Sequence, residues 1–248
     1  MLTEERYHLI LQTLQEKKTI KITELCEMLN SSVSTIRRDL NTLDEMGKLN
    51  KVHGGATVKE KKFIFEEETV QTKEKCFQKE KDMIAKYAAS LIEEDDFVFI
   101  DAGTTTLRMI SYLPQKKAVY VTNGFMHAKH LAELGHRVFI TGGQIKASTE
   151  AVVGAECIAA LNNFNFTKSF LGVNGIALEG GLSTPDMQEA SVKRAVVKNS
   201  LQAYALADHS KFDKITAVTF ASLLELTIIT DCLGDEKYQK AAKIIEVE

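Results

Sequence analysis

A chain of 248 residues with 44% hydrophobic side chains holds enough apolar material for one sizeable core and a smaller companion, so two domains are expected. Its formal net charge of -3 excludes any nucleic-acid argument from the whole chain and confines such an argument to local clusters of Arg and Lys. Cys26, Cys76, Cys157 and Cys232 stand apart without a Cys-x-x-Cys pair, which excludes a zinc finger or disulfide frame; with no secretory leader and no run of about 18 apolar residues, a cytoplasmic protein is expected.

The first element is a helix over Thr3 to Lys17, where Tyr7, Ile10, Leu11 and Leu14 share one face. Thr23 is expected to cap a second helix with a buried face of Leu25, Met28 and Leu29, stopping at Asn30 and Ser31. A third helix runs from Ser32, its cap, to Gly47, where a left-handed residue would end it, and Val33, Ile36, Leu40, Leu43 and Met46 form its expected buried stripe. Opposite that stripe lie Ser34, Arg38 and Asn41, flanked by Thr35 and Arg37, side chains that suit base edges and phosphates. Alone, that face reads first as an ordinary solvated helix face, and its neighbours change that reading. Two helices joined by a three- or four-residue turn, the second so equipped, make a helix-turn-helix whose second helix enters the major groove. Residues 48–58 then alternate around Gly54-Gly55, a hairpin signal; this wing carries Lys48, Lys51 and His53, followed by Lys59, Lys61 and Lys62, where phosphates would lie.

The run Ser34-Thr35-Ile36-Arg37-Arg38-Asp39-Leu40, followed by His53-Gly54-Gly55-Ala56, resembles the DeoR family of bacterial transcriptional repressors. One position departs from that family's pattern: Lys51 stands where an Arg is usual, keeping the charge but losing bidentate geometry. The resemblance implies a winged helix-turn-helix DNA-binding domain over 1–58 that contacts a double-stranded operator through Ser34, Thr35, Arg37, Arg38, Asn41, Lys51 and His53.

Residues 59–78 are charged and Gly-free and read as a linker or linker helix to a second domain over 79–248. There a helix marked by Ile84, Tyr87, Ala88 and Leu91 precedes an apolar strand at Phe97 to Ile100. More strands are expected at Val119 to Val121, Val138 to Ile140, Phe170 to Val173, Tyr204 to Leu206, Ala217 to Phe220 and Thr227 to Ile229. Their alternation with helices predicts an open α/β sheet, whose ligands sit beyond strand carboxyl ends. Those ends are polar and Gly-rich: Asp101 to Thr106, Thr122-Asn123-Gly124, Thr141-Gly142-Gly143, Gly172 to Gly175 and Asp208 to Lys211. The Thr104-Thr105-Thr106 cluster opens a helix and can cradle a phosphate or simply cap that helix. Glu189 and Lys193, after Gly180 to Asp186, read either as a site or as an i, i+4 surface ion pair.

This half resembles the DeoR sensor domain, similar in fold to ribose-5-phosphate isomerase. That implies a sugar-phosphate effector site in which Gly103, Thr104 and Thr105 hold phosphate and Lys193 and Lys211 supply charge. Asp101, Asn174 and Asp208 are the candidates for sugar hydroxyls, with Asp186 and Glu189 beside them. The 180–193 stretch and its Lys193-Arg194 ending look most like the fructose-operon branch, implying fructose 1-phosphate, with tagatose 6-phosphate as the alternative. A homodimer or homotetramer is implied. No cofactor is expected; His127 and His130 lack a carboxylate at matching spacing for a metal, and no Gly-x-Ser-x-Gly elbow supports a catalytic nucleophile. A rival reading is a sugar-phosphate isomerase with a regulatory DNA-binding head, using Asp101, Asp208 and Glu189 as acids or bases.

Overall fold

The computed structural model describes residues 3–46, 48–58, 62–64, 69–114 and 117–247. The chain divides into two compact units, Met1–Lys61 and Lys62–Glu248. The first contains α1 (Thr3–Lys17), β1 (Thr19–Lys21), α2 (Ile22–Leu29), α3 (Val33–Glu45), β2 (Leu49–Val52) and β3 (Gly55–Val58). Its core is Ile10 and Leu14 of α1, Leu25 and Leu29 of α2, and Ile36, Leu40 and Leu43 of α3, closed by Ile20, Leu49 and Ala56.

Several local expectations change. Ile20 lies in a strand, not a plain connection: β1 pairs antiparallel with β3, which pairs with β2, in a three-stranded sheet. Lys21, not Thr23, stands at the start of α2 and makes no side-chain cap, so Thr23 lies within the helix. Met28, Val33 and Met46 are exposed, since the helix cores are filled by their neighbours. The wing turns at His53-Gly54, and Gly55 already belongs to β3. Gly54 takes φ +87°, and a Cβ on Gly55 would lie 2.1 Å from the Ile20 carbonyl oxygen, so close strand pairing excludes a side chain there. Gly47, Lys59 and Lys61 fall outside the described residues.

The second unit begins with β4 (Lys62–Ile64) and α4 (Val70–Lys75), both within the segment read as a linker. Then come α5 (Gln78–Ser90), β5 (Phe97–Ile100), α6 (Thr104–Ile110), β6 (Val119–Thr122), α7 (Phe125–Glu133), β7 (Arg137–Ile140), β8 (Gln144–Lys146), β9 (Ala151–Val153) and α8 (Ala155–Leu161). After these follow β10 (Phe166–Gly172), β11 (Gly175–Ala177), β12 (Gly181–Thr184), α9 (Met187–Lys198), β13 (Ser200–Leu206), β14 (Lys214–Thr216), β15 (Val218–Ala221), β16 (Thr227–Thr230) and β17 (Lys243–Glu246).

The central sheet is seven-stranded and parallel throughout, in the order β17-β16-β13-β10-β5-β6-β7. Within it β5, Phe97-Val98-Phe99-Ile100, is a continuous apolar run because both of its faces are covered. On β5, Phe99 packs into one core with α8 and α9, whereas Val98 and Ile100 pack into the other with α5 and α6. The Ala217 to Phe220 run does not join this sheet; β15 pairs antiparallel with β12 in a separate three-stranded sheet with β11. From β5 the chain winds outward through β6 and β7, then returns to lay β10 on the other side of β5. The resulting switch point puts a crevice at the carboxyl ends of β5 and β10, where open α/β sheets bind ligands.

Candidate functional site

Two surfaces concentrate functional chemistry. On α3 the Ser32 side chain accepts the Thr35 N–H at 3.2 Å and lies 2.9 Å from both the Ser34 and Thr35 hydroxyls. Arg37, Arg38 and Asn41 are exposed on the same helix. Its one inward acid is Asp39, gripped by Arg6 of α1 through Nε at 2.5 Å and a terminal nitrogen at 3.0 Å. This buried pair, missed by the apolar pattern, fixes α3 against α1. The Asp44 carboxylate accepts the Lys51 N–H at 3.1 Å, which ties the wing to the same helix and leaves the side chains of Lys48, Lys51 and His53 exposed.

The second surface is the crevice at the switch point, an open cleft whose empty space, solvent at its mouth included, is about 640 Å³. Gly103, Thr104 and Thr105 wall it after β5, Gly172 at the end of β10 with Val173 and Asn174 beyond it, Asp208 and Lys211 after β13, and Glu189 and Lys193 from α9. The floor of the β5 loop is braced from neighbouring strand ends. Asn123 Oδ1 accepts the Ala102 N–H at 2.9 Å, and Thr106 donates to the Asp101 carbonyl at 2.6 Å. His127 Nε2 sits 3.1 Å from both the Gly103 carbonyl and the Thr106 hydroxyl. Burial pushes the His127 imidazole down to about 4, so the ring is neutral at physiological pH.

The charges in the cleft are largely paired. Lys193 Nζ donates to the Asp101 carboxylate and, at 3.0 Å, to the Gly172 carbonyl, while Asp101 also accepts the Gly172 N–H at 3.0 Å. Burial drives the Asp101 carboxyl upward, and Lys193 opposes that drive. Glu189 accepts from Thr149 at 2.7 Å and Lys146 at 3.2 Å. Its burial would raise it, but Lys193, Thr149 and Lys146 together hold it below its ordinary value. Asp208 differs: Oδ1 takes the Ser210 N–H and hydroxyl, but Oδ2 is buried with no hydrogen-bond partner among the described residues. Across the cleft Lys81 of α5, almost fully buried, donates to the Lys73 carbonyl; burial lowers its ammonium, and Asp208 pulls it back up.

Eight of the ten residues anticipated for the effector line this cleft: Gly103, Thr104, Thr105, Asn174, Glu189, Lys193, Asp208 and Lys211. Asp101 lies beneath the lining with its carboxylate committed to Lys193 and Gly172. Asp186 caps α9 through the Glu189 N–H and pairs with Lys146 at 3.0 Å, also outside the lining. Glu189 and Lys193 are no surface pair, since both are buried and each has other partners. Lys73 and Val70 from α4, Lys81 and Thr149 were missed. Lys81 sits in an expected helix, and only its break in the apolar face one turn before Ile84 could have marked it. The Thr141 strand end does not contribute to the lining. Among the described residues no cluster of three His, Cys, Asp or Glu is placed to hold a metal, and no helix is long and apolar enough to cross a membrane.

A winged helix-turn-helix unit followed by a doubly wound α/β unit with a charged crevice is the build of a DNA-binding regulator with a ligand-sensing half. The family model of the DeoR-like helix-turn-helix domain matches residues 6–62, that of the DeoR C terminal sensor domain matches residues 77–232, and the chain belongs to the DeoR family of transcriptional regulators. It is 43% identical over 231 residues to the HTH-type transcriptional regulator FruR of Bacillus subtilis, covering 93% of this chain and 91% of that one. It is 35% identical over 249 residues to the lactose phosphotransferase system repressor of Staphylococcus aureus, covering 98% of each. Among solved structures it is similar to ribose 5-phosphate isomerase A from Methanocaldococcus jannaschii, at 14% identity and TM-score 0.41 over 53% of each chain. The full-length sorbitol operon regulator SorC from Klebsiella pneumoniae gives 12% identity and TM-score 0.39 over 82% of this chain and 88% of that one.

Proposed function

We propose that the protein represses a sugar-utilisation operon and that a phosphorylated sugar, held in the switch-point cleft, releases it from DNA. The observation that carries this reading is the buried, unpartnered Asp208 Oδ2 in a cleft shared with Lys81, Lys193, Lys211 and the Thr104 and Thr105 hydroxyls. Ammonium, hydroxyl and backbone N–H donors suit a phosphate, and a carboxylate with one oxygen still lacking a donor suits a sugar hydroxyl. The relative named as a lactose phosphotransferase system repressor supports a sugar-linked role. Fructose 1-phosphate is the first candidate and tagatose 6-phosphate the second. Asp186 and Asp101 act from behind the lining, by holding Lys146 and Lys193. The isomerase alternative is disfavoured, because Asp101 and Glu189 are committed to structural partners, leaving too few free acid-base groups.

DNA binding is assigned to residues 1–58 and sensing to 79–248, with Ser34, Thr35, Arg37, Arg38 and Asn41 toward bases and phosphates and Lys51 and His53 toward the backbone. A homodimer or homotetramer would present paired reader helices to a repeated site. The test is a titration of sugar phosphates into the protein bound to a duplex selected from a random pool, beside thermal-shift measurements. A fitting effector stabilises the protein by roughly 3 to 4 kcal/mol well above its Kd and lowers operator affinity. A full panel that changes neither quantity overturns the proposal, as does steady isomerisation of any member.

A further inference from the structure

Val33 opens α3, yet its side chain is 45% exposed while Ile36, Leu40 and Leu43 of the same helix are fully buried. An exposed valine by itself is unremarkable. Its surroundings are more specific. It precedes Arg37 by one turn, so the two share a flank of the helix, and it lies in the N-terminal turn, the part of a reader helix that meets base edges. The hydroxyls beside it are engaged locally: Ser32 caps Thr35, and Ser34 and Thr35 both lie within hydrogen-bond distance of Ser32. Val33 is therefore an outward apolar group in that turn, and its branched side chain has essentially one rotamer in a helix, so contact costs little ordering.

The one apolar group that a base edge presents in the major groove is the C5-methyl of thymine. Resting on the role of α3 as reader helix, we infer that Val33 specifies a thymine in each operator half-site by packing against that methyl. Arg37 and Arg38 would then supply the polar readout of neighbouring positions.

The experiment uses the full chain and a duplex selected from a random pool, in which each thymine is replaced in turn by deoxyuridine, deleting one methyl at a time. Wild type should lose roughly fourfold in affinity at one position per half-site, the worth of one methyl buried from water. Val33→Ala should bind thymine and uracil duplexes equally at that position, Val33→Thr, which keeps a methyl, should retain much of the preference, and Arg38→Ala should retain it in full. Unchanged melting of Val33→Ala would separate lost readout from lost folding. The inference is overturned if Val33→Ala shows the wild-type thymine preference at every position. If Arg38→Ala also binds with unchanged affinity and sequence preference, the reader-helix assignment itself fails, an outcome distinct from failure of Val33 alone.

Discussion

The two halves of the molecule place their polar groups in opposite ways. On α3, Arg37, Arg38 and Asn41 stand in water while a separate apolar face does the folding, and Asp39 alone is drawn inward to Arg6. In the cleft the groups are sunk: Asp208 is 1% exposed, Lys193 3% and Glu189 9%, and most are held by one another. The reader surface is thus separable from the fold, whereas the cleft and the fold share the same bonds. Substitutions on the exposed face of α3 should alter DNA binding with little change in stability, whereas substitutions of the paired charges in the cleft should alter stability as well as ligand response.

The largest expected effect comes from Lys193→Ala, which strands the Asp101 carboxylate and the Gly172 carbonyl in the interior. Breaking one side of a buried pair costs about 3 to 5 kcal/mol, so urea unfolding of the second unit should shift by that order. The double variant Asp101→Asn/Lys193→Met should recover much of the loss, because a neutral replacement leaves no uncompensated charge. A Lys193→Ala protein as stable as wild type would break the contrast between the halves.

Protonation of His127 gives the next effect. Its ring titrates near 4 in the fold against an ordinary 6.5, so as pH falls the unfolded chain takes up this proton first. The contribution is fully present above pH 6.5 and is lost as pH falls toward 4, by up to about 3 kcal/mol. Unfolding midpoints at pH 7, 6 and 5 should fall in wild type and fall less steeply in His127→Gln. Equal slopes would place the His127 ring in water rather than behind Gly103.

Thr104→Val and Thr105→Val sharpen the comparison further, since they lie in the cleft but their hydroxyls make no hydrogen bond among the described residues. Stability should stay near wild type. Losing one or two charge-assisted bonds to a phosphate should raise the effector concentration needed for release by at least tenfold, because each is worth roughly 1.5 to 3 kcal/mol. Operator affinity without effector should not change. A wild-type induction midpoint in both variants would remove this loop from the phosphate site.

The same contrast explains what was legible in the chain. A helix that buries one face and exposes the other writes both in a 3.6-residue period, which makes α1 and α3 readable, and the short apolar runs of buried strands mark β5, β6 and β10. The exceptions were helix ends, where Val33 and Met46 match the period but project beyond the core, and β1, too short to show alternation. The strand ends of the cleft, Asp208 among them, follow from one topological rule, whereas Lys193, on α9, is reached only through the family resemblance. Lys81 and Thr149 were missed, because they enter the cleft from a helix face and a β8–β9 turn rather than a strand end. Asp101 was expected to face sugar hydroxyls, and no pattern in one dimension reveals that Lys193, 92 residues away, bonds to its carboxylate.

The smallest effects separate two kinds of DNA contact on the exposed half. Arg38 lies near the centre of the polar face of α3, where a guanidinium can meet base edges, so Arg38→Ala should cost about 1 to 3 kcal/mol of operator binding and relax base preference locally. Lys51 sits on the wing with its backbone tied to Asp44 and its ammonium exposed, a geometry suited to phosphate but not to bases. Lys51→Ala should therefore weaken selected and unrelated duplexes by the same factor and reduce the slope of log affinity against log salt by about 1. Because both side chains are outside the core, neither variant should shift the unfolding midpoint. Titrations of both variants at several salt concentrations distinguish the roles: a specificity change in Lys51→Ala, or a uniform loss in Arg38→Ala, would exchange the wing and the helix as the element that reads sequence.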